Sequence, residues 1–318
     1  MIDSSAGSDG GSPRTEEAVF FTSEGETLLG FWTRPCTETI TGERVGAVLL
    51  SGGWVGTSSG RNRTLVTLAR RLASDGFDVF RFEYHGVGDS TGSVPRFELS
   101  APFSTDARAA MDLVRSAGIR RLILVGACFG GRTALDVAVD AKDVIGAALI
   151  AVPPVDPRRW TSSPNGKREE GKAKKVRLSS LARAARHPWI VREIVRGSRR
   201  RFFWRYARAK ARYVRDSVRI TRRARPVASP TPMFIRQLQE VARRGVRTLL
   251  LFGSEDFAYA RFQETADQIR AIRGYDAHCE EVVLDGDVHG FGRLAVQDGV
   301  VDAVSSWARR TREAHVSR

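Results

Sequence analysis

The sequence predicts an α/β protein built on a mostly parallel sheet with helices on both faces. Three observations carry that prediction. Short apolar runs, among them Val79–Phe82, Leu122–Val125, Val144–Val152 and Arg247–Phe252, alternate with helical segments along the chain. Short, mainly apolar runs that alternate with helices belong to strands covered on both sides. At 318 residues, 42% of them apolar, the chain is long enough for one large domain plus an accessory element. One of the runs also leads straight into Gly126-Ala127-Cys128-Phe129-Gly130-Gly131, a glycine-rich passage from strand to helix.

The elements follow in order. Met1–Thr15 is rich in Ser, Gly and Asp and reads as a disordered tail (1–15), with neither the basic start nor the apolar centre of a signal peptide. Phe20–Thr33 reads as a hairpin turning at Ser23-Glu24-Gly25-Glu26. Val48-Leu49-Leu50 is a strand that runs into Ser51-Gly52-Gly53-Trp54. Asn62–Asp75 reads as the helix before the Val79–Phe82 strand, and Ser104–Ala117 as the helix before Leu122–Val125. Arg132–Val139 is the helix after the glycine-rich passage. Beyond Val144–Val152 lies an insert, and then the core resumes. Arg247–Phe252 and Cys279–Leu284 read as strands, with a helix at Gln263–Ile272 between them and a closing helix at Val300–Arg312. The core is therefore expected at 16–154 and 230–314, with the insert at 155–229.

The insert carries the charge. Between Arg158 and Arg225 there are 24 Lys and Arg against 4 Asp and Glu, which leaves 27 basic and 32 acidic residues for the rest of a chain whose net charge is +15. Val176–Arg225 reads as helical, with apolar residues recurring at spacings of three, four and seven. The basic face is either a solvated surface or a docking surface for phosphate, an acidic carrier or anionic lipid, with Arg199, Arg200, Arg201 and Arg205 as candidate contacts. Nucleic acid is not expected as a partner. No run of 18 apolar residues marks a membrane-spanning helix. Three cysteines, Cys36, Cys128 and Cys279, offer neither metal-ligand spacing nor an even disulfide set, which fits a reducing cytoplasm, and neither metal nor cofactor is expected.

The chemistry centres on Cys128. The strand-to-helix turn is tight, so Gly126 and Gly130 are needed where a Cβ would meet backbone, and residue 128 is lifted over the end of the sheet. The helix beginning there aims N–H groups and a positive dipole end at the thiol, which is expected to favour the thiolate. A nucleophile of this kind needs a base, and the base an orienting acid. Asp256 stands just past the Arg247–Phe252 strand, with Glu255 as its neighbouring alternative. His289 follows the Cys279–Leu284 strand, with His85 and His278 as rivals in less suitable positions. Acid and imidazole thus follow the nucleophile in order, each after a strand.

With these motifs the chain resembles the α/β-hydrolase superfamily over roughly Val19–Val152 and Met233–Arg312. Two further segments carry the likeness. Val48–Trp54 resembles the strand and following loop that supply an oxyanion hole. Glu83-Tyr84-His85-Gly86-Val87-Gly88-Asp89-Ser90 resembles the Asp-x-Arg-Gly-x-Gly-x-Ser signature, with Glu83 and His85 in place of Asp and Arg. The likeness implies an oxyanion hole from the N–H of Phe129 and an N–H of Gly53 or Trp54, and a cap or lid formed by the insert. Cysteine elbows occur in this superfamily in dienelactone hydrolases, some acyltransferases and cyclases, and exosortase-associated hydrolases.

A thiol exchanges with a thioester at almost no free-energy change, whereas its attack on an oxoester runs uphill. The expected activity is therefore that of a thioesterase or acyltransferase working through an acyl-Cys128 intermediate, with acyl-CoA or an acyl carrier protein as donor. Two alternatives stay open: an esterase or lactonase acting on small activated esters, and a non-catalytic protein that binds an acidic partner or a membrane through the basic insert.

Overall fold

A computed structural model describes residues 16–35, 43–52, 57–93, 101–154 and 232–316. By contacts the chain divides into Met1–Pro154 with Pro230–Arg318 as one unit and Val155–Ser229 as the other. The second unit, and with it the expected cap and Arg199, Arg200, Arg201 and Arg205, lies outside the described residues, as does the N-terminal tail.

Eight strands form one sheet among the described residues: β1 (Glu16–Ser23), β2 (Glu26–Thr33), β3 (Val45–Leu50), β4 (Asp78–Phe82), β5 (Arg121–Ala127), β6 (Val144–Ile150), β7 (Arg247–Gly253) and β8 (Cys279–Leu284). Their spatial order is β1-β2-β4-β3-β5-β6-β7-β8. The β1–β2 hairpin joins antiparallel to itself and to β4. Every pair from β4 onward is parallel. Every residue of β3, β4 and β6 is buried, as strands covered on both faces require, and in β4 that burial includes the charged Asp78 and Arg81.

Two helical layers supply the cover. On one face α1 (Thr64–Ser74) packs against α8 (Leu294–Val316), which spans β6, β7 and β8. On the other, α2 (Ser104–Ser116) packs on α3 (Phe129–Ala138), which lies over β3, β5 and β6, and α4 (Pro232–Arg243) packs on α3 and β7. Short helices α5 (Phe257–Gln263), α6 (Ala266–Arg270) and α7 (Tyr275–His278) connect β7 to β8. Each fully buried Leu, Val, Ile or Phe on these faces contributes about 1.5–3 kcal/mol of transfer free energy.

Four helix boundaries depart from expectation, each for a local reason. The helix after the elbow starts at Phe129 rather than Arg132, because Gly130 and Gly131 are helical despite their low propensity. The expected Asn62–Asp75 helix begins as a 3-10 turn, Arg61–Arg63, since Asn62 and Arg63 take φ of 51° and 63°. The Gln263–Ile272 segment splits between α5 and α6. The last helix runs from Leu294 to Val316, straight through Gly299.

Candidate active site

Cys128 occupies a strained turn. Its φ is 49° and ψ −109°, a region that non-glycine residues rarely adopt. The surroundings hold it there. Its N–H donates to the Ile150 carbonyl at 2.8 Å, and its own carbonyl accepts from the Arg132 N–H at 3.2 Å. A Cβ on Gly126 would stand 2.3 Å from the Gly130 carbonyl carbon, and one on Gly130 would stand 2.2 Å from the Leu50 carbonyl oxygen. These glycines let α3 begin directly against the ends of β3 and β5, which brings Cys128 to the carboxyl edge of the sheet.

The thiol itself departs from expectation. Burial pushes its pKa up to about 11, the Phe129 N–H opposes the shift, and the Asp256 charge adds to it. Desolvation thus outweighs the helix N-terminus, and Cys128 rests as a neutral thiol rather than a thiolate.

Asp256 lies at the exit of β7 and is 3% exposed. One carboxylate oxygen accepts the Gly253 N–H at 2.7 Å, and the other accepts the backbone N–H of His289 at 2.9 Å. Burial raises its pKa to about 6 against those two N–H groups, and the neighbouring Asp287 carboxyl raises it further. The acid therefore anchors the histidine loop through its main chain. Glu255, the neighbouring alternative, is exposed.

His289 sits in the turn after β8 and is exposed, though crowded enough that burial lowers its pKa; Asp287 opposes that shift and Arg61 adds to it. The loop is fixed beyond the imidazole as well. Gly290 donates to Asp287 at 2.7 Å. The carbonyl of Phe291, whose φ is 45°, accepts Asn62 Nδ2 at 2.7 Å and Gln297 Nε2 at 2.9 Å. Asp287, Asn62 and Arg61 escape sequence reasoning because the turn joining them to His289 is remote in the chain or carries no motif. Asp287, two residues before His289, was the one with a positional signal.

The rival groups are otherwise engaged. His85 gives both its backbone N–H (3.0 Å) and its ring Nδ1 (2.7 Å) to Asp106, stacks on Phe103 with centroids 4.7 Å apart, and belongs to a different loop. Glu83 accepts the Ser58 and Asp89 N–H groups at 3.3 and 2.7 Å, so the altered signature serves to stitch loops together. His278 closes α7, ahead of β8. The Cys279 thiol, on β8, is pushed up to about 12 by burial.

Of the expected oxyanion donors, Phe129 is the first residue of α3, directly after Cys128. Its ring packs edge-on against Phe103 and Tyr84. Gly53 and Trp54 lie outside the described residues, as does Cys36. Ser51 and Gly52, which precede them, continue from β3 beside the elbow, where a Cβ on Gly52 would stand 3.4 Å from the Ala127 carbonyl oxygen. Among the described residues no helix is long and apolar enough to cross a membrane.

Comparison with known proteins agrees with this architecture. The model of the alpha/beta hydrolase family matches residues 47–303. Among solved structures, an esterase from Pyrococcus furiosus superposes with a TM-score of 0.57 at 14% identity, over 93% of this chain and 91% of its own. A proline iminopeptidase from Mycobacterium smegmatis gives 0.54 at 16% identity, over 94% and 100%. A lid-free serine hydrolase of the same fold from Xanthomonas campestris gives 0.54 at 16% identity, over 94% and 96%. At these identities the structural likeness speaks for the fold.

Proposed function

The chain belongs to the alpha/beta hydrolase family, and from that premise we propose that it cleaves or transfers acyl thioesters through a covalent intermediate on Cys128. The observation that carries the reading is the thiol's position: a cysteine at φ 49° between β5 and α3, with the Phe129 N–H directed at its sulfur. An acid and an imidazole reach the same sheet edge on the loops after β7 and β8.

Cys128 starts protonated, so the first step is general-base catalysis. Neutral His289 takes the thiol proton as sulfur attacks the thioester carbonyl. The raised thiol pKa and the lowered imidazole pKa both favour this neutral pair at rest. The tetrahedral oxyanion is met by the Phe129 N–H and by an N–H of Gly53 or Trp54. Loss of one such donor typically costs about 3 kcal/mol. The C–S bond to the donor then breaks, and the leaving thiolate takes the proton from imidazolium. Water or another acceptor, deprotonated in turn by His289, releases the acyl group and regenerates the thiol. Asp256 keeps the imidazole in place by holding the His289 main chain. The basic insert, with Arg199, Arg200, Arg201 and Arg205, would receive the acidic carrier or the CoA phosphates.

A small activated ester is the second reading, since cysteine elbows like that of Cys128 occur in dienelactone hydrolases, which the sequence resembles. Intact-mass measurement after incubation with acyl-CoA and acyl-pantetheine thioesters separates the two. An acyl adduct on the wild type that is absent from Cys128→Ala, and is not formed by His289→Ala, supports the thioester reading. Turnover of aryl esters or enol-lactones with no thioester loss supports the ester reading.

A further inference from the structure

The loop that leaves β3 is held at both ends. At its start, Ser51 and Gly52 run against the elbow on either side of Cys128. A Cβ on Gly52 would stand 3.4 Å from the Ala127 carbonyl oxygen, and one on Gly130 would stand 2.5 Å from that of Ser51. At its far end, Ser58 is 2% exposed and gives both its N–H (3.3 Å) and its hydroxyl (3.2 Å) to one carboxyl oxygen of Glu83. Arg81 Nη1 adds a long contact to the Ser58 carbonyl at 3.5 Å. Four residues, 53–56, separate Gly52 from Thr57, and Gly53 and Trp54 are among them.

Glu83 is the fixed partner in this pair. Its N–H donates to the Leu29 carbonyl at 2.9 Å, and its own carbonyl accepts Ser90 Oγ at 2.9 Å. Its second carboxyl oxygen accepts the Asp89 N–H at 2.7 Å. The turn is moulded around that oxygen: Gly88 has a φ of 61°, and a Cβ there would stand 1.9 Å from it. Shortening the side chain would therefore leave β4 in place and release Ser58. A carboxyl group that is 5% exposed and, among the described residues, has no salt bridge is costly to bury. Departures of this kind gather at functional sites. Glu83 is also one methylene longer than the Asp of the signature it replaces, and that extra length carries the carboxyl out to Ser58.

We infer that Glu83 is a positioning residue for the oxyanion hole: through Ser58 it holds the loop whose Gly53 or Trp54 N–H meets the tetrahedral oxyanion, a role that rests on the acyl-Cys128 reading. The Phe129 N–H needs no such device, because it is built into the start of α3. The second donor belongs to a loop, and a displacement of about 1 Å at a catalytic contact can cost on the order of a hundredfold in rate. With Ser51 and Gly52 fixed against the elbow, the anchor at Ser58 decides how the short span between them is held.

The test measures Glu83→Asp, Glu83→Gln and Ser58→Ala beside the wild type. The substrates are acyl-CoA thioesters from acetyl to palmitoyl and the matching 4-nitrophenyl esters. The inhibitor is the trifluoromethyl ketone of the best acyl chain, to which the Cys128 thiol adds so that an oxyanion occupies the hole. Glu83→Asp withdraws the carboxyl from Ser58, and kcat is expected to fall about tenfold to a hundredfold with KM little changed. Affinity for the ketone should fall by the same factor, because it needs the same donors. Glu83→Gln keeps the reach and an acceptor for Ser58, and should retain most of the activity. Ser58→Ala removes one of the two donors and should show a smaller loss of the same kind. Circular dichroism and urea unfolding give the folded fraction to which rates are normalised. A Glu83→Asp enzyme that is less stable but keeps its kcat and ketone affinity when folded overturns the inference, as does a rise in KM alone. Should Glu83→Asp not fold, a parallel loss of kcat and ketone affinity in Glu83→Gln or Ser58→Ala upholds it, and anything less overturns it. Aryl-ester turnover that Glu83→Asp impairs, with thioesters inert, leaves the Glu83 inference standing and overturns the thioester reading. Thioester turnover that Glu83→Asp leaves unchanged does the reverse, and a wild type inert toward both sets overturns both.

Discussion

Asn62 donates from Nδ2 to the carbonyl of Phe291 at 2.7 Å, a bond between residues 229 positions apart that ties the turn before α1 to the histidine loop. Gln297 Nε2 shares the same acceptor at 2.9 Å. The Asp256–His289 main-chain bond holds the loop from one side and these two amides hold it from the other.

Asn62→Ala removes one of the two amides, and the carbonyl keeps the other. The stability loss is therefore expected to be small, about 0.5–1.5 kcal/mol. The effect on kcat should exceed the stability loss, because His289 loses its lateral restraint. Asn62→Ala combined with Gln297→Ala strips the carbonyl of both donors and should cost more than the sum of the single changes. Urea unfolding of the three variants, beside their steady-state kinetics, checks both statements.

Gly130→Ala tests the elbow. The added methyl would stand 2.2 Å from the Leu50 carbonyl oxygen and 2.5 Å from that of Ser51, and both are backbone atoms that cannot rotate away. Over-packing usually costs about 1–3 kcal/mol, and a backbone collision belongs at the upper end or beyond. Gly118→Ala provides the contrast: its φ is 81°, but nothing lies within 4 Å, so only the conformational strain remains. Denaturation midpoints should place Gly130→Ala well below Gly118→Ala, and Gly130→Ala should also lose acylation of Cys128.

How far the sequence reveals this molecule depends on whether the signal is local. The strands were legible because β3 and β6 carry no polar side chain, and parallel strands buried on both faces leave that mark. The elbow was legible because Gly126 and Gly130 meet backbone and admit no substitute. The state of Cys128 was not, because the local helix terminus predicts a thiolate while the burial that prevails is a tertiary property. Asn62 was hidden inside what reads as a continuous helix from Asn62 to Asp75. Positive φ at Asn62 and Arg63 breaks that helix, and nothing in the residue types announces it.

Asp106 makes a separate prediction about stability without catalysis. It is 2% exposed and accepts Ser23 Oγ at 2.7 Å together with the backbone and ring donors of His85. It thereby joins the β1–β2 turn, the loop after β4 and α2. Asp106→Ala leaves three donors without their acceptor and should destabilise the fold by about 2–4 kcal/mol. At a temperature where the variant is still folded, Cys128 acylation should proceed at nearly the wild-type rate, since none of these groups meets Cys128, Asp256 or His289. A loss of acylation out of proportion to the folded fraction would place His85 in the catalytic machinery instead.

The acid side of the pH profile is set by Asp256, His289 and Asp287 together. Asp256, raised to about 6 by burial, is ionised at neutral pH and protonates as the pH falls through that value. Protonation removes one of the lone pairs that hold the Gly253 and His289 N–H groups, and so loosens the histidine loop. Burial holds the pKa of His289 below its ordinary value, so the imidazole stays a neutral base further into the acid range before it protonates. Activity should therefore fall with an apparent pKa near 6, a value that belongs to the cluster rather than to one residue. Asp287 raises both pKa values: for Asp256 as a neighbouring carboxyl, and for His289 as an anion that favours imidazolium. Asp287→Asn removes both influences, and both pKa values must then fall. The acid limb of kcat/KM should move to lower pH, with little change in the plateau rate. An unmoved limb, or one moved upward, would show that Asp287 does not act on the pair. A collapsed plateau would show instead that its bond to the Gly290 N–H is needed to shape the loop.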